Sequence, residues 1–349
     1  MSGALQLSST DRVLVLAPHP DDETLAAGDL IRAALAAGCA LRVAFATDGD
    51  NNPWPQRWLE RRWKIGVRER ARWGARRRGE ARAALERLGV PQSAAPARFF
   101  GWPDQGLTAL LMRDDRAIEA LAQEIAQFAP THLVLPNLAD RHPDHSALRV
   151  LAELALLRSG HRCLCLGYVV HGEKPSGDGR MLEVPAADAQ AKREAMHAHA
   201  SQLALSRKRL LGLAALPNRF ELLADEAVAP PDATQPLRVP RARSLRPHDL
   251  LLLVAWPGEV ARVRLPLPRA PGEQVATDAR GREYAIDVGA RELRLQLPAF
   301  ESPPAAIYAK VHRCDPRLLI FDREPWRRAA DASRASSVAL TGPIQSGYI

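Results

Sequence analysis

The chain has 349 residues, of which 46% are hydrophobic and 25% charged, with a formal net charge of +8. That balance excludes a disordered chain and a small disulfide-stapled domain, and the length suffices for one large core and a smaller second one. No apolar run reaches membrane-spanning length, and residues 1–10 hold neither the basic nor the apolar region of a secretory leader, so the expected location is cytoplasmic.

Residues 13–17 form an apolar run that reads as a buried strand, stopped by Pro18 and Pro20, which cannot continue a ladder. Residues 24–37 read as the following helix and 40–46 as a second strand, which opens into the turn-rich stretch 47–53. A long helical stretch from 64 to 88 ends at Gly89 and Pro91. A short strand is expected at 97–100 and an amphipathic helix at 114–128, with Ile118, Leu121, Ile125 and Phe128 at helical spacing. Strand 131–136, helix 146–157, strand 162–170 and helix 187–205 follow. Strands alternating with helices predict an α/β fold, a Rossmann-like three-layer sandwich with a mostly parallel sheet. After Leu223 the texture changes to a Pro-, Ala- and Asp-rich stretch. Short strands are then expected at 250–255, 260–265, 283–288, 293–297, 306–312 and 318–321, separated by Pro-Gly and Arg-Gly turns. The expected organisation is a first domain over 1–224, a linker over 225–244, a small β-rich domain over 245–328, and a tail over 329–349. The four cysteines give no disulfide framework: Cys163 and Cys165 alternate with leucines and read as buried thiols on one face of a strand.

Two turns carry the chemistry. His19, Asp21, Asp22 and Glu23 place one imidazole and three carboxylates within five residues, between a strand and a helix. Such a group is costly to desolvate unless positive charge sits among its members, and a divalent metal would supply it. The competing reading is that these acids merely cap a helix N-terminus. The second turn weighs against it. Strand 131–136 is followed by Asp140, His142, Asp144 and His145 and then by a helix, so two distant strand-to-helix turns both carry His and Asp. In an open parallel sheet both turns lie at the carboxyl edge, where such folds place ligands.

The segments His19-Pro20-Asp21-Asp22-Glu23 and His142-Pro143-Asp144-His145 resemble the signature of the PIG-L / LmbE-like family of zinc-dependent N-deacetylases, which remove acetyl groups from N-acetylglucosamine-type sugars. Thr47-Asp48-Gly49, Arg77-Arg78-Gly79-Glu80 leading into Leu88-Gly89-Val90, Pro103-Asp104-Gln105-Gly106-Leu107, and the helix from Lys192 to Ser201-Gln202 extend the resemblance over roughly the first two thirds of the chain. The resemblance implies a Zn2+ site of His19, Asp22 and His145, with Asp21 as the general base. His142 would steady the oxyanion or protonate the leaving amine, and Asp144 would orient a histidine. For Asp144 a plain helix N-terminal carboxylate is the alternative; Glu23 reads as a first-turn acid. Asp48 would shape the site loop, and Arg68 or Arg77 would touch substrate. His171, at the end of a strand, reads either as a substrate contact or as a loop histidine. His197 and His199 read as ordinary helix residues and His132 as structural. A His/Asp/His set accepts Fe2+ or cobalt nearly as well as zinc.

The positive charge is concentrated. Eleven Lys and Arg residues lie between Trp54 and Arg82, with Trp54, Trp58, Trp63 and Trp73 among them. One reading is a solvated helix whose tryptophans pack on the sheet. The others are a rim for a phosphorylated or lipid-linked N-acetylated amino-sugar substrate, or a peripheral membrane contact. The expected activity is therefore zinc-dependent N-deacetylation of an amino sugar. The alternatives are hydrolysis of a different sugar-conjugate amide, or a non-catalytic module binding nucleic acid or membrane through the basic segment. No helix-turn-helix or zinc-finger spacing supports nucleic acid as a partner.

Overall fold

The computed structural model describes residues 3–91, 96–172, 180–184, 189–223, 236–241, 247–313 and 324–329. The chain divides into two compact units, one of Met1–Ala227 with Pro316–Pro325, the other of Val228–Asp315 with Trp326–Ile349.

The first unit runs β1 (Gly3–Ala4), β2 (Arg12–Ala17), α1 (Asp22–Ala36), β3 (Ala40–Thr47), α2 (Pro53–Glu60), α3 (Val67–Arg87), β4 (Ala97–Trp102), α4 (Leu107–Arg113) and α5 (Arg116–Phe128). It continues through β5 (His132–Pro136), α6 (Pro143–Ser159), β6 (Leu164–Tyr168), β7 (Met181–Glu183), α7 (Ala189–Met196), α8 (Ala200–Ala214) and β8 (Arg219–Leu223). Its sheet has the order β1-β7-β8-β6-β5-β2-β3-β4. The block from β4 to β6 is parallel, whereas β8 runs antiparallel to both β6 and β7. From β2 the chain moves outward through β3 and β4, then returns to lay β5 on the other side of β2. Strand order therefore reverses between β2 and β5, and the crevice beyond their carboxyl ends is where an open α/β sheet binds ligands.

Val13, Val15, Ala17, Val43 and Phe45 pack against Leu30, Ile31 and Ala34 of α1, Ala84 and Leu85 of α3, and Ala195 of α7. The alternate residues Leu14, Leu16, Leu133 and Leu135 are equally buried on the opposite face. A right-handed crossover from β5 to β6 puts α6 on that face, because it travels the opposite way to the crossover through α1. The expected three-layer architecture is thus observed. A buried ion pair fastens α7 to α1: Lys192 Nζ lies 2.7 Å from Asp29 Oδ2, which also accepts the Asn218 amide at 3.0 Å. The Lys192 stem fills the space over Gly28, where a Cβ would come within 2.8 Å of it.

Several elements depart from the sequence expectations. The helical stretch expected from residue 64 is preceded by a separate helix, α2, whose Pro53 and Pro55 resemble loop residues but occupy its first turn, where a proline loses no hydrogen bond. The expected helix 187–205 is two helices, broken at residues 197–199. Of the four tryptophans between 54 and 82, only Trp73 is buried; Trp54, Trp58 and Trp63 face solvent. Cys39 is buried as expected, but Cys163 and Cys165 are only half-buried, and Cys163 precedes the strand.

The second unit pairs two antiparallel sheets. One has the order β11-β10-β15-β16, with β10 (His248–Trp256), β11 (Glu259–Pro266), β15 (Ala306–Arg313) and β16 (Arg327–Arg328). The other has the order β12-β13-β14-β9, with β9 (Leu237–Pro240), β12 (Gly272–Thr277), β13 (Glu283–Val288) and β14 (Glu292–Gln296). Leu250, Leu252 and Val254 meet Ile286, Leu293 and Leu295 in one apolar core. Strand β9 falls inside the stretch expected to be linker, because Leu237 and Val239 pair with β14 and enter this core. The strand expected at 318–321 lies outside the described residues, as do residues 330–349 of the tail.

Removing one member of a buried ion pair strands the other charge, at a cost of about 3–5 kcal/mol. Asp29→Ala is therefore expected to lower the thermal midpoint of the first unit substantially. Asp29→Leu combined with Lys192→Met should recover part of that loss, as read by calorimetry.

Candidate metal and catalytic centre

The turn after β2 places its residues unequally. Asp22 and Glu23 open α1, while Asp21 stands at its N-cap with φ 135° and ψ −27°, a conformation that L-residues rarely adopt. The Asp21 side chain makes no capping hydrogen bond; it turns instead toward Arg77, whose Nη2 lies 3.3 Å from Oδ2. The capping reading of this turn thus fails for Asp21. Glu23 holds the strained peptide by accepting the Asp21 N–H at 2.8 Å.

Helix α6 begins at Pro143, earlier than the sequence pattern indicated, since proline suits the first helical position. His142 becomes its N-cap and accepts the Asp144 N–H on Nδ1 at 3.2 Å. Asp144 and His145 then lie on the first turn, fully buried.

The two turns meet at Asp22. Its Oδ2 accepts the backbone N–H of His19 at 3.0 Å and lies 3.2 Å from both His19 Nδ1 and His145 Nε2. On the far side, His19 Nε2 is 3.3 Å from Asp144 Oδ2 and 3.2 Å from Asp104 Oδ1. His145 Nδ1 is 3.1 Å from Asp140 Oδ2. The histidine rings pack together, with centroids 4.7 Å apart for His19 and His142, 5.0 Å for His142 and His145, and 5.0 Å for His145 and His171.

The electrostatics of the cluster call for a cation. Burial opposes charge on His145, but Asp140 and Asp22 outweigh it and push its pKa up to about 10. Burial likewise opposes charge on His19, and Asp104, Asp144 and Asp22 overcome it. Burial would raise Asp22, yet His145 and His19 hold it well below the usual carboxylate range. His142, by contrast, is driven well down by burial and by the neighbouring His19 and His145, so its ring is neutral. Burial, tempered by Arg77 and reinforced by Asp22, lifts Asp21 to about 6.

The donor set fits a metal ion. The ligand atoms of His19, His142 and His145 lie within 4.8 Å of one another, and the same holds for Asp22, His145 and His171 and for His19, Asp104 and Asp144. Both ring nitrogens of His145 are buried and approach carboxylates, but neither is aligned for a hydrogen bond within the described residues. A cation beside His145 would satisfy what geometry leaves open; the expected set of His19, Asp22 and His145 is not itself one of these three groups, although Asp22 Oδ2 lies 3.2 Å from both rings.

Around this group the other expected residues separate. Asp48 pairs with Arg78 and sits on the site loop. Arg77 is buried; it donates to the carbonyl oxygens of Gly49, at 2.8 Å, and of Pro20, so its guanidinium braces the two loops. Gly49, at φ +63°, has no room for a side chain, because a Cβ would fall 1.7 Å from Arg77 Nη1. Arg68 is exposed on the first turn of α3 and makes none of the contacts that bind the cluster. His171 joins the cluster: burial and the neighbouring His145 lower its pKa to about 4, and its Nδ1 accepts a hydrogen bond from Arg209 at 2.8 Å.

Three residues that matter here were given no site role by the sequence. Asp104, in the turn after β4, also accepts the Asn51 N–H at 2.7 Å. Asp140 accepts the amides of His142, Val170 and His171 besides facing His145, so one carboxylate ties the ends of β5 and β6 together. His199 is not an ordinary helix residue. It is buried at the N-cap of α8, with Nε2 2.9 Å from Glu23 Oε1. The signal for Asp104 was its place in a Pro-Asp-Gln-Gly turn at a strand end; His199 offered none while the helix appeared continuous.

Residues 14–156 match the family model described as "PIG-L: GlcNAc-PI de-N-acetylase". The match covers less than half of the chain. The chain is 33% identical over 152 residues to the 1D-myo-inositol 2-acetamido-2-deoxy-alpha-D-glucopyranoside deacetylase of Mycobacterium avium (strain 104), covering 40% of this chain and 49% of the relative. The chain thus spans about half the length of the curated relatives it matches. Among solved structures it is similar to N,N'-diacetylchitobiose deacetylase from Pyrococcus horikoshii, with a TM-score of 0.45 and 19% identity over 57% of this chain and 75% of that one. It is also similar to 4-carboxy-2-hydroxymuconate hydratase from Pseudomonas putida KT2440, with a TM-score of 0.44 and 20% identity over 58% and 82%.

The first unit should bind a divalent ion, measured by elemental analysis and chelator competition. Asp22→Ala and His145→Ala are expected to abolish binding. Asp140→Ala should weaken it by about 10- to 100-fold, the usual effect of removing a carboxylate that orients a ligating histidine.

Proposed function

We propose that this chain is a zinc-dependent N-deacetylase that hydrolyses the acetamide of an N-acetylglucosamine-type sugar or glycoconjugate. The observation that carries the reading is the division of labour between adjacent aspartates: Asp22 faces His19 and His145, while Asp21 makes no cap bond to its helix and faces Arg77. The printed names of the curated relatives, deacetylases of a 2-acetamido-2-deoxy-glucopyranoside, support the substrate class.

His19, Asp22 and His145 would hold the metal, as two nitrogens and one carboxylate leaving a coordination position open for water or substrate. Bound there, zinc lowers the pKa of a water from 15.7 to about 7 and polarises a carbonyl oxygen. Asp21 takes the proton of the attacking water. Its pKa of about 6 suits a base working near neutrality, and Arg77 fixes its direction. His142 acts from the other side. Because Nδ1 accepts the Asp144 N–H, the neutral ring carries its proton on Nε2, and that N–H is free to steady the oxyanion, while the proton that Asp21 takes from the water passes on to the leaving amine. Asp144 positions His19 rather than His142. It also accepts the amides of Gln105 at 2.6 Å and Leu107 at 3.1 Å, which docks the Asp104 loop on the centre. His171, at the rim beside His142, contacts the sugar, and Asp48 shapes the loop facing it.

Acetate release from free, phosphorylated, nucleotide-linked and lipid-linked N-acetylhexosamines tests the reading. One class should be turned over. Asp21→Asn should lose about 10²- to 10⁴-fold in kcat, the range for a general base, while retaining its metal. Stoichiometric metal with no acetate from any substrate would refute deacetylation.

A further inference from the structure

A broad apolar surface stands exposed on α2 and the turn that follows it. Trp54, Trp58 and Trp63 are 51%, 67% and 77% exposed, and Leu59, Val67 and Leu205 of α8 are exposed beside them. The presentation is built rather than frayed. The other side of α2, Pro55 and Gln56, is buried, and Gln56 Nε2 donates to the Glu69 carbonyl at 2.8 Å. Trp54, Trp58, Leu59, Trp63 and Leu205 line a groove of about 750 Å³.

This surface is also cationic. Residues 54–70 contain six basic and two acidic side chains. Both acids are already engaged, Glu60 with Arg72 and Glu69 with Arg62. Arg57 lies over the rings of Trp54 and Trp63, 5.0 and 5.4 Å from their centroids. Among the described residues Arg61 and Lys64 have no carboxylate partner, and both are exposed.

We propose that α2 and its following turn dock the protein on the interface of an anionic lipid bilayer. Trp54, Trp58 and Trp63 would sit at headgroup depth, and Arg61 and Lys64 against lipid phosphates. Indole rings combine an apolar body with a polar N–H and favour that depth, and unpaired cations beside them add attraction to anionic lipid. An eight-residue helix is far too short to span a bilayer and lies on it instead. Tryptophans standing this far into solvent, two of them sharing one stacked arginine, match a fluid interface better than a rigid partner of fixed shape. Docking would also bring the His/Asp centre to the lipid surface. Asn52 caps helix α2, and the adjoining Asn51 is bonded to Asp104, which touches His19. That last step, presentation of a lipid-linked sugar to the centre, rests on the deacetylase reading; the docking itself does not.

Co-sedimentation with phosphatidylcholine vesicles, with and without phosphatidylglycerol, tests the docking. The chain should pellet with the anionic vesicles and be released as salt rises. Trp58→Ala with Trp63→Ala should lower partitioning roughly tenfold or more. Arg61→Gln with Lys64→Gln should lower it roughly 30-fold and erase the preference for anionic lipid, each cation contributing about fivefold. Both variants should keep the thermal midpoint and the turnover of a soluble N-acetyl sugar. A chain that stays in the supernatant with anionic vesicles at low salt overturns the proposal, as does binding indifferent to both variants. A raised KM for a soluble sugar without vesicle binding would assign the groove to substrate instead. A dimer dispersed by the tryptophan variant, again without vesicle binding, would assign it to a second copy. Vesicle binding without acetate release would leave the docking standing and count only against the deacetylase reading.

Discussion

The centre of this molecule depends on one crowded oxygen. Asp22 Oδ2 sits within 3.2 Å of ring nitrogens from two histidines that are more than a hundred residues apart in the chain, with almost no water beside it. Buried charges persist only when they are balanced, and each partner here is balanced by another charged group. His19 is held by three carboxylates and His145 by two. The imbalance favours positive charge, whether carried by protons or by a metal ion.

The fold supplies that crowding with unusual backbone at a few turn residues, Asp21 and Gln105 among them. Reversal of strand order between β2 and β5 aims two turns into one crevice, and neighbouring elements then supply support from further away. Asp104 comes from beyond β4, Asp140 locks β6 to β5, Arg77 reaches over from α3, and His199 comes from the break between α7 and α8. A side chain so surrounded loses its rotamer freedom before any ligand arrives, which is the condition for preorganised chemistry.

Much of this was legible in the sequence, for identifiable reasons. Val13–Ala17 of β2 and Leu133–Leu135 of β5 are apolar runs, and a His/Asp turn follows each, so strand, turn and ligand candidates could be read together. What escaped depended on tertiary contact. Asp104 and Asp140 stood inside segments the sequence singled out, but their roles showed only once His19 and His145 were placed beside them. His199 lay hidden because Ala- and Leu-rich segments on both sides of the break have good helical propensity, and only the Glu23 partnership shows why the chain turns there. Helix α2 was obscured by its prolines, and β9 by the proline-rich stretch around it. Of the two arginines expected to touch substrate, Arg77 is buried against the site loops and Arg68 is exposed. In the second unit the alternating pattern identified β13 and β14 well; β12, polar and largely exposed, carried little signal.

Asp21 occupies backbone space in which an L-residue is strained by about 1–3 kcal/mol, and in which glycine would rest more easily. The carboxylate there serves neither the helix cap nor the hydrophobic core. Under the proposed mechanism, glycine there would ease the backbone but strand the buried Arg77 and remove the base, so a single residue couples strain, charge balance and chemistry.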